Sequence, residues 1–319
     1  MDLVAKVLVY GDIHLHSRNY GSHRDYPKES LDYFRNITET AKLLGITHII
    51  GLGDFSYGRF NTLEYRQAVE KELTEQFKLT NGNRYELKGN HDVSTKGMTE
   101  YEFYVERGLI KPSTNIQIGN ANISMIDYGM HRTKSILPVE PGKTNIVCMH
   151  DFFKFNDTFI GDYGKARELD SLESWAGVDY ILGGHIHNHE MFSGSIIKNG
   201  KAYKTIVHYL GCPCRPAYRI GKMQETGHYD IISIFDNGQV QLDVHEFELW
   251  KLDDSFNIEE MNSNKEIKDQ KHVDISDVVK KLDSHQRVVG DPEQVILSME
   301  TVDIRYRNKA IQLLRDAQA

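Results

Sequence analysis

Five short polar clusters, most of them following a run that reads as a buried strand, recur through the first 190 residues of this chain, and this pattern restricts its fold most. The clusters read Gly11-Asp12-Ile13-His14, Gly53-Asp54, Gly89-Asn90-His91-Asp92, His150-Asp151 and Gly184-His185-Ile186-His187. A short continuous run of Val, Leu and Ile bounded by turn residues reads as a strand buried on both faces. Strands of one sheet end at a common edge, so the pattern gathers its polar residues there. Carboxylate and amide oxygens mixed with imidazole nitrogens suit two divalent cations that share one carboxylate. The chemistry such a centre suits is hydrolysis of phosphate esters.

The chain's 319 residues allow one large α/β domain with a smaller appendage. A hydrophobic content of 39% with only 7 prolines indicates an ordered globular protein. The net charge of −8 gives no global basic field to attract nucleic acid, so a DNA substrate would need local patches, the cations or a partner. The cysteines, Cys148, Cys212 and Cys214, are too few and too irregular for a disulfide framework. The first residues run straight into a strand without a signal pattern, and no apolar stretch approaches the roughly 20 residues that span a bilayer. A reducing, cytoplasmic setting without membrane association is the expectation.

Leu3 to Tyr10 reads as a buried strand ending at the first polar cluster. Pro27 to Leu44 has helical spacing, with Leu31, Phe34, Ile37, Ala41 and Leu44 on one face and Gly45 as the stop. Further strands are expected at Ile46 to Leu52 and Arg84 to Lys88, with a charged helix over Thr62 to Lys78 between them. A hairpin at Asn115 to Tyr128 turns at Gly119-Asn120. Strands at Asn145 to Met149 and Val178 to Leu182 bracket an expected helix over Ala166 to Trp175. Strands then follow at Glu190 to Ile197, Lys204 to Leu210, Tyr229 to Phe235 and Val240 to Leu249, the last two joined at Asp236-Asn237-Gly238. Two packed sheets with helices outside fit this order. The boundary falls near residue 250, giving a domain over 1–250, then a polar linker and a small helical tail over 251–319 with helices at Pro292 to Leu297 and Tyr306 to Ala317.

Taken singly, the clusters carry little. Asp12 and His14 could be a turn aspartate and a surface histidine, and Asp54 could cap a turn. Asn90-His91 beside Gly89 is harder to dismiss, because glycine permits the bend that aims two polar side chains together. His185 and His187 after two glycines form the strongest single signal. Asp92 reads as a residue that holds its own loop, and Asp151 as one that orients His150. His16, His23, His131, His189 and His208 have no motif support and stay unassigned.

The succession of clusters resembles the calcineurin-like metallophosphoesterase superfamily over about residues 4 to 250. That resemblance implies an α/β fold, a four-layer α-β-β-α sandwich with two metals at the sheet edge. It implies that Asp12, His14 and His187 hold one metal, that Asn90, His150 and His185 hold the second, and that Asp54 bridges both. His91 matches the histidine that protonates or stabilises the leaving oxygen. The implied cofactor is a pair of divalent ions, Mn²⁺ first among them.

Within the superfamily, the chain is most similar to SbcD-type DNA repair nuclease subunits, including the short bacteriophage versions. Tyr209-Leu210-Gly211-Cys212-Pro213 resembles a tract those enzymes carry after the paired histidines. It leads into Arg215, Arg219 and Lys222, which could contact a phosphate backbone; a solvated loop is the plainer reading of that group. The resemblance further implies DNA as substrate, an SbcC-like coiled-coil ATPase docked on the helical tail, and a homodimer as a possible assembly. One departure is Tyr57, which stands where SbcD-type enzymes usually carry an acidic residue or histidine; it is a candidate substrate contact. The alternative is a small-molecule or cyclic-nucleotide phosphodiesterase or phosphatase of the same superfamily.

Overall fold

The computed structural model describes residues 2–19, 23–57, 61–94, 97–129, 139–151, 153–154, 167–168, 173–214 and 226–257. All belong to the compact unit Met1–Asn257. The first of two six-stranded sheets contains β1 (Leu3–Tyr10), β2 (His48–Gly51), β3 (Arg84–Glu86), β4 (Lys111–Pro112), β13 (Thr226–Phe235) and β14 (Val240–Glu248). Its order is β14-β13-β1-β2-β3-β4, with β1 to β4 parallel and β13 antiparallel to β1.

The second sheet holds β5 (Asn115–Ile118), β6 (Ala121–Ile126), β7 (Thr144–Met149), β10 (Tyr180–Gly183), β11 (Glu190–Lys198) and β12 (Lys201–Tyr209), in the order β11-β12-β10-β7-β6-β5. Here β12, β10, β7 and β6 run parallel. A separate pair joins β8 (Phe153–Lys154) to β9 (Arg167–Glu168).

Alternation along β1 explains why its run is apolar throughout. Leu8 and Tyr10 enter a core formed with Leu31, Phe34 and Ile37 of α1 (Tyr26–Leu44) and Val69 and Leu73 of α2 (Leu63–Leu79). Val7 and Val9 enter the other core, between the sheets, with Ile50, Leu52, Ile123, Met125, Ile146, Cys148 and Leu182. The outer face of the second sheet buries Val147, Met149, Ile181 and Val207 under Trp175 and Val178.

The expected mixed α/β sandwich of two sheets is therefore present. Helices cover the first sheet, and among the described residues a 3-10 turn at Glu173–Trp175 lies on the second.

The helix ends follow from the sequence. The Asp25 side chain accepts the Lys28 amide at 3.2 Å, Pro27 sits in the first turn, and Gly45 closes α1 with φ +63°. Thr62 caps α2 in the same way. Of the helix expected over Ala166 to Trp175, the described residues are not α-helical: Arg167–Glu168 pair as β9 and Glu173–Trp175 make the 3-10 turn. β9 pairs in parallel with β8, Phe153 beside Arg167 and Lys154 beside Glu168, which takes those two residues into a sheet. Helix α3 (Glu100–Glu106) was not foreseen, although Thr99 and Glu102 form a capping box that marks its start. A four-residue helix, α4 (Leu252–Ser255), stands at the beginning of the expected linker. The tail helices lie outside the described residues.

Candidate metal centre

Parallel strands point their carboxyl ends at one edge, and at open α/β edges of this kind ligand sites form. Asp12 follows β1, Asp54 follows β2, Asn90 follows β3, His150 follows β7 and His185 follows β10. Pairing continues past the strands proper: the His14 amide donates to the Asp54 carbonyl and the Leu15 amide to the Phe55 carbonyl, both at 2.9 Å. The two loops are thereby held side by side.

Their backbones are strained at the polar residues. Among the described residues, the side-chain-bearing positions with positive φ are Asn81, Asn199, His14 (50°), Asp54 (50°) and His185 (76°). That region costs a residue with a side chain roughly 1–2 kcal/mol, less for Asn, Asp and His, which adopt it more often than others do. Glycine is required close by: a Cβ on Gly89 would collide with the backbone nitrogen and carboxylate of Asp54.

The side chains meet in two groups around one carboxylate. In the first, His14 Nε2 lies 3.1 Å from His187 Nε2 and 3.7 Å from Asp54 Oδ2, while His187 Nε2 lies 3.5 Å from Asp12 Oδ2. In the second, Asn90 Oδ1 lies 3.0 Å from His150 Nε2 and 2.8 Å from His185 Nδ1, and His150 Nε2 lies 3.4 Å from Asp54 Oδ2. The His185 amide donates to both oxygens of Asp12 at 2.9 Å, which ties the groups together. His150 Nδ1 sits 2.7 Å from the Leu52 carbonyl oxygen, a contact in which that nitrogen carries the proton and Nε2 faces the site.

Electrostatics follow from burial. Burial holds His14 well below its usual range and takes His185 down to about 4, with His150 contributing, so both rings are neutral at pH 7 with lone pairs to offer. Burial works against charge on Asp54, but His150, His14 and His91 outweigh it and hold the carboxyl below its ordinary value. Burial likewise opposes charge on His150, but Asp54 and Asp12 raise it to about 10. Carboxylate and imidazole donor atoms gathered within 4.8 Å of one another are a set that fits divalent cations.

His91 stands at the margin, with 37% of its side chain exposed. Its amide donates to Asp54 Oδ1 at 2.8 Å and its Nε2 lies 4.0 Å from Asp54 Oδ2. Tyr57 stacks on the His91 ring at 4.7 Å between centroids. Asp92 accepts the amides of Phe55, Ser56 and Gly89 at 3.0–3.2 Å, which is the loop-holding place read from sequence. Asp151 is buried beside His150.

Of the unassigned histidines, His16 has its ring 6.2 Å from Tyr57, and His23 packs between Tyr26 and Phe256. His208 Nδ1 lies 2.7 Å from Asp230 Oδ2 and its Nε2 lies 2.7 Å from His189 Nε2, a buried link between β12 and β13 and so between the sheets. Arg215, Arg219, Lys222 and His131 lie outside the described residues.

Sequence reading passed over Tyr128, whose ring lies 5.8 Å from His185 and 6.1 Å from His150. It also passed over the buttress under Asp12 and His187, where the Cys212 thiol donates to the Asp12 carbonyl at 2.6 Å and the Cys212 amide to the His187 carbonyl at 3.1 Å.

Residues 5–189, more than half of the chain, match the family described as calcineurin-like phosphoesterase. The chain belongs to that family. It is accordingly a metal-dependent phosphoesterase.

Among solved structures, it is similar to a dimetal phosphatase from Danio rerio, at 12% identity and a TM-score of 0.43 over 78% of this chain and 100% of that one. It is also similar to Vps29 from Chaetomium thermophilum, at 10% identity and a TM-score of 0.33 over 77% of this chain and 100% of that one. No curated protein matches it. Among the described residues, no helix is long and apolar enough to cross a membrane.

Proposed function

We propose that this phosphoesterase is a two-metal phosphodiesterase that cuts DNA in repair, recombination or replication, in the manner of an SbcD-type nuclease subunit. One oxygen carries the two-metal reading: Asp54 Oδ2 stands 3.4 Å from His150 Nε2 and 3.7 Å from His14 Nε2, so a single carboxylate atom serves both ligand groups. Asp12, His14 and His187 would hold one cation, Asn90, His150 and His185 the other, and Asp54 both. The carboxylate and amide oxygens suit Mn²⁺ and the imidazoles suit Fe²⁺ or Zn²⁺ as well; the family resemblance puts Mn²⁺ first. Bound there, the cation pair supplies Lewis acidity toward the phosphoryl oxygens and activates water for attack.

The chain's own residues set the geometry. The Leu52 carbonyl selects the His150 tautomer that presents Nε2, and His185 and His14 stay neutral, keeping lone pairs for the cations without bringing negative charge to an anionic substrate. His91, near Asp54 yet open to solvent, is suited to give a proton to the leaving oxygen, with Tyr57 steadying its ring.

DNA as substrate rests on the likeness of Tyr209 to Pro213 to the SbcD-type tract, with Arg215, Arg219 and Lys222 as phosphate contacts beyond it. The 1–250 domain would act, and the segment 251–319 would dock a coiled-coil ATPase in the cytoplasm. The net charge of −8 favours a second reading, a cyclic-nucleotide or other small-molecule phosphodiesterase or phosphatase, and Tyr57 in place of an acidic residue or histidine weighs against exonuclease action on double strands.

Purified protein with Mn²⁺, assayed against single-stranded DNA, duplex ends, hairpins and cyclic nucleotides, separates the two. Cleavage of DNA, stimulated by the ATPase, is expected. Turnover of a cyclic nucleotide with DNA left intact would replace the first reading by the second.

A further inference from the structure

The geometry points to Tyr57 and Tyr128 as two stacking platforms that take the nucleobases on either side of the scissile phosphate, which makes a nucleic acid strand the preferred diester. The inference rests on the phosphodiesterase reading above and specifies the substrate of the same site.

Each tyrosine accompanies a different half of the ligand set. Tyr57 has its ring 4.7 Å from His91 and 5.8 Å from His14. Tyr128 has its ring 5.8 Å from His185 and 6.1 Å from His150. The backbone fixes both in place. The Tyr57 amide donates to the Leu15 carbonyl at 3.2 Å, extending the pairing of the first two site loops. The Tyr128 amide donates to the Lys88 carbonyl at 2.8 Å, and Asp127 accepts the Lys88 amide, also at 2.8 Å, just before Asn90.

Tyr57, 39% exposed with one ring face on His91, and Tyr128, half-buried, both keep some accessible surface. Large aromatic rings left partly open at the margin of a polar centre are the form that sequence-tolerant base stacking takes.

The number of platforms discriminates among substrates. A phosphomonoester or a cyclic mononucleotide brings at most one base to its phosphorus. A phosphodiester within a strand brings one base on each side. Two tyrosines, one beside each half of the ligand set, match the strand. A purely structural role, in which the tyrosines only brace the histidines, would affect all diesters alike, whether or not they carry bases.

The test uses the full chain with Mn²⁺ and a dinucleoside monophosphate, which has one scissile bond. Versions lacking the 5′ base, the 3′ base or both complete the series. In the unaltered protein, removing either base is expected to lower kcat/KM by roughly 5- to 100-fold. Tyr57→Leu should cancel the sensitivity to one base and Tyr128→Leu the sensitivity to the other, while Tyr57→Phe and Tyr128→Phe preserve both.

Equal kcat/KM for the base-bearing and base-free diesters in the unaltered protein would overturn the stacking inference while leaving the phosphodiesterase reading intact. So would leucine variants that retain both base sensitivities. Failure to hydrolyse any diester in the series, with a phosphomonoester turned over, would overturn the phosphodiesterase reading itself.

Discussion

His91 and the residues it touches carry the sharpest expectations at the scale of single side chains. His91→Asn should leave two cations bound, because the resemblance gives each cation its own trio without His91, although His14, Asp54 and His91 also lie close enough together to share an ion. Turnover should fall by about 10²- to 10⁴-fold, the usual worth of a general acid. Metal analysis beside steady-state kinetics checks it, and loss of metal would make His91 a ligand.

His150 sets a pH dependence in the metal-free protein. Folding raises it from 6.5 to about 10, so the folded chain holds that proton more tightly than the unfolded one. Its stabilising effect is complete below about pH 6.5 and is lost as the pH climbs toward 10. The melting temperature of chelated protein should therefore decline between pH 7 and 10, and His150→Gln should flatten that decline.

The positions of these residues were legible because each follows a strand at a turn. Tyr128 was not, since a single tyrosine after a strand has no pattern. Nor was the His208–Asp230 link, whose partners come from different sheets.

At the scale of elements, apolar runs marked the central strands well because those strands are buried on both faces, as β1 shows. Short elements escaped notice. The seven residues of α3 are mostly polar and aromatic, and only its capping box announces it.

The short strand β3 hides a feature no periodicity reveals. Arg84 and Glu86 are fully buried, with Arg84 Nη2 2.7 Å from Glu86 Oε2, and Glu86 also accepts the Tyr10 hydroxyl at 2.5 Å. Glu86 further accepts the Gly53 amide at 3.4 Å, directly before Asp54. Arg84→Met strands a buried carboxylate there and should cost about 3–5 kcal/mol in urea unfolding. A loss near zero would mean that Glu86 is protonated and the pair contributes little. Gly45→Ala, which forces a Cβ into φ +63° at the end of α1, should cost about 1 kcal/mol.

For the whole molecule, the site is a junction of two sheets that are also joined by an apolar core and by the His208–Asp230 link. Asp12 and Asp54 come from the first sheet, and His150, His185 and His187 from strands of the second. Cations shared between them would fasten the sheets at that edge. Ligands that bind only the folded state stabilise it by mass action, about 2.7 kcal/mol at a hundredfold excess over Kd. Mn²⁺ should therefore raise the melting temperature and a chelator reverse the gain, with Asp54→Asn showing neither effect.

The division of the chain at about residue 250 and the role of the tail rest on composition and resemblance, which speak to partners rather than to this edge. The most direct measurement is a crystal structure of the Mn²⁺-loaded protein with anomalous scattering recorded at the manganese edge. Two peaks are predicted, one among Asp12, His14 and His187 and one among Asn90, His150 and His185, with the Asp54 carboxylate contacting both. Density without peaks, or a single ion elsewhere with Asp54 turned away, would contradict a two-metal centre.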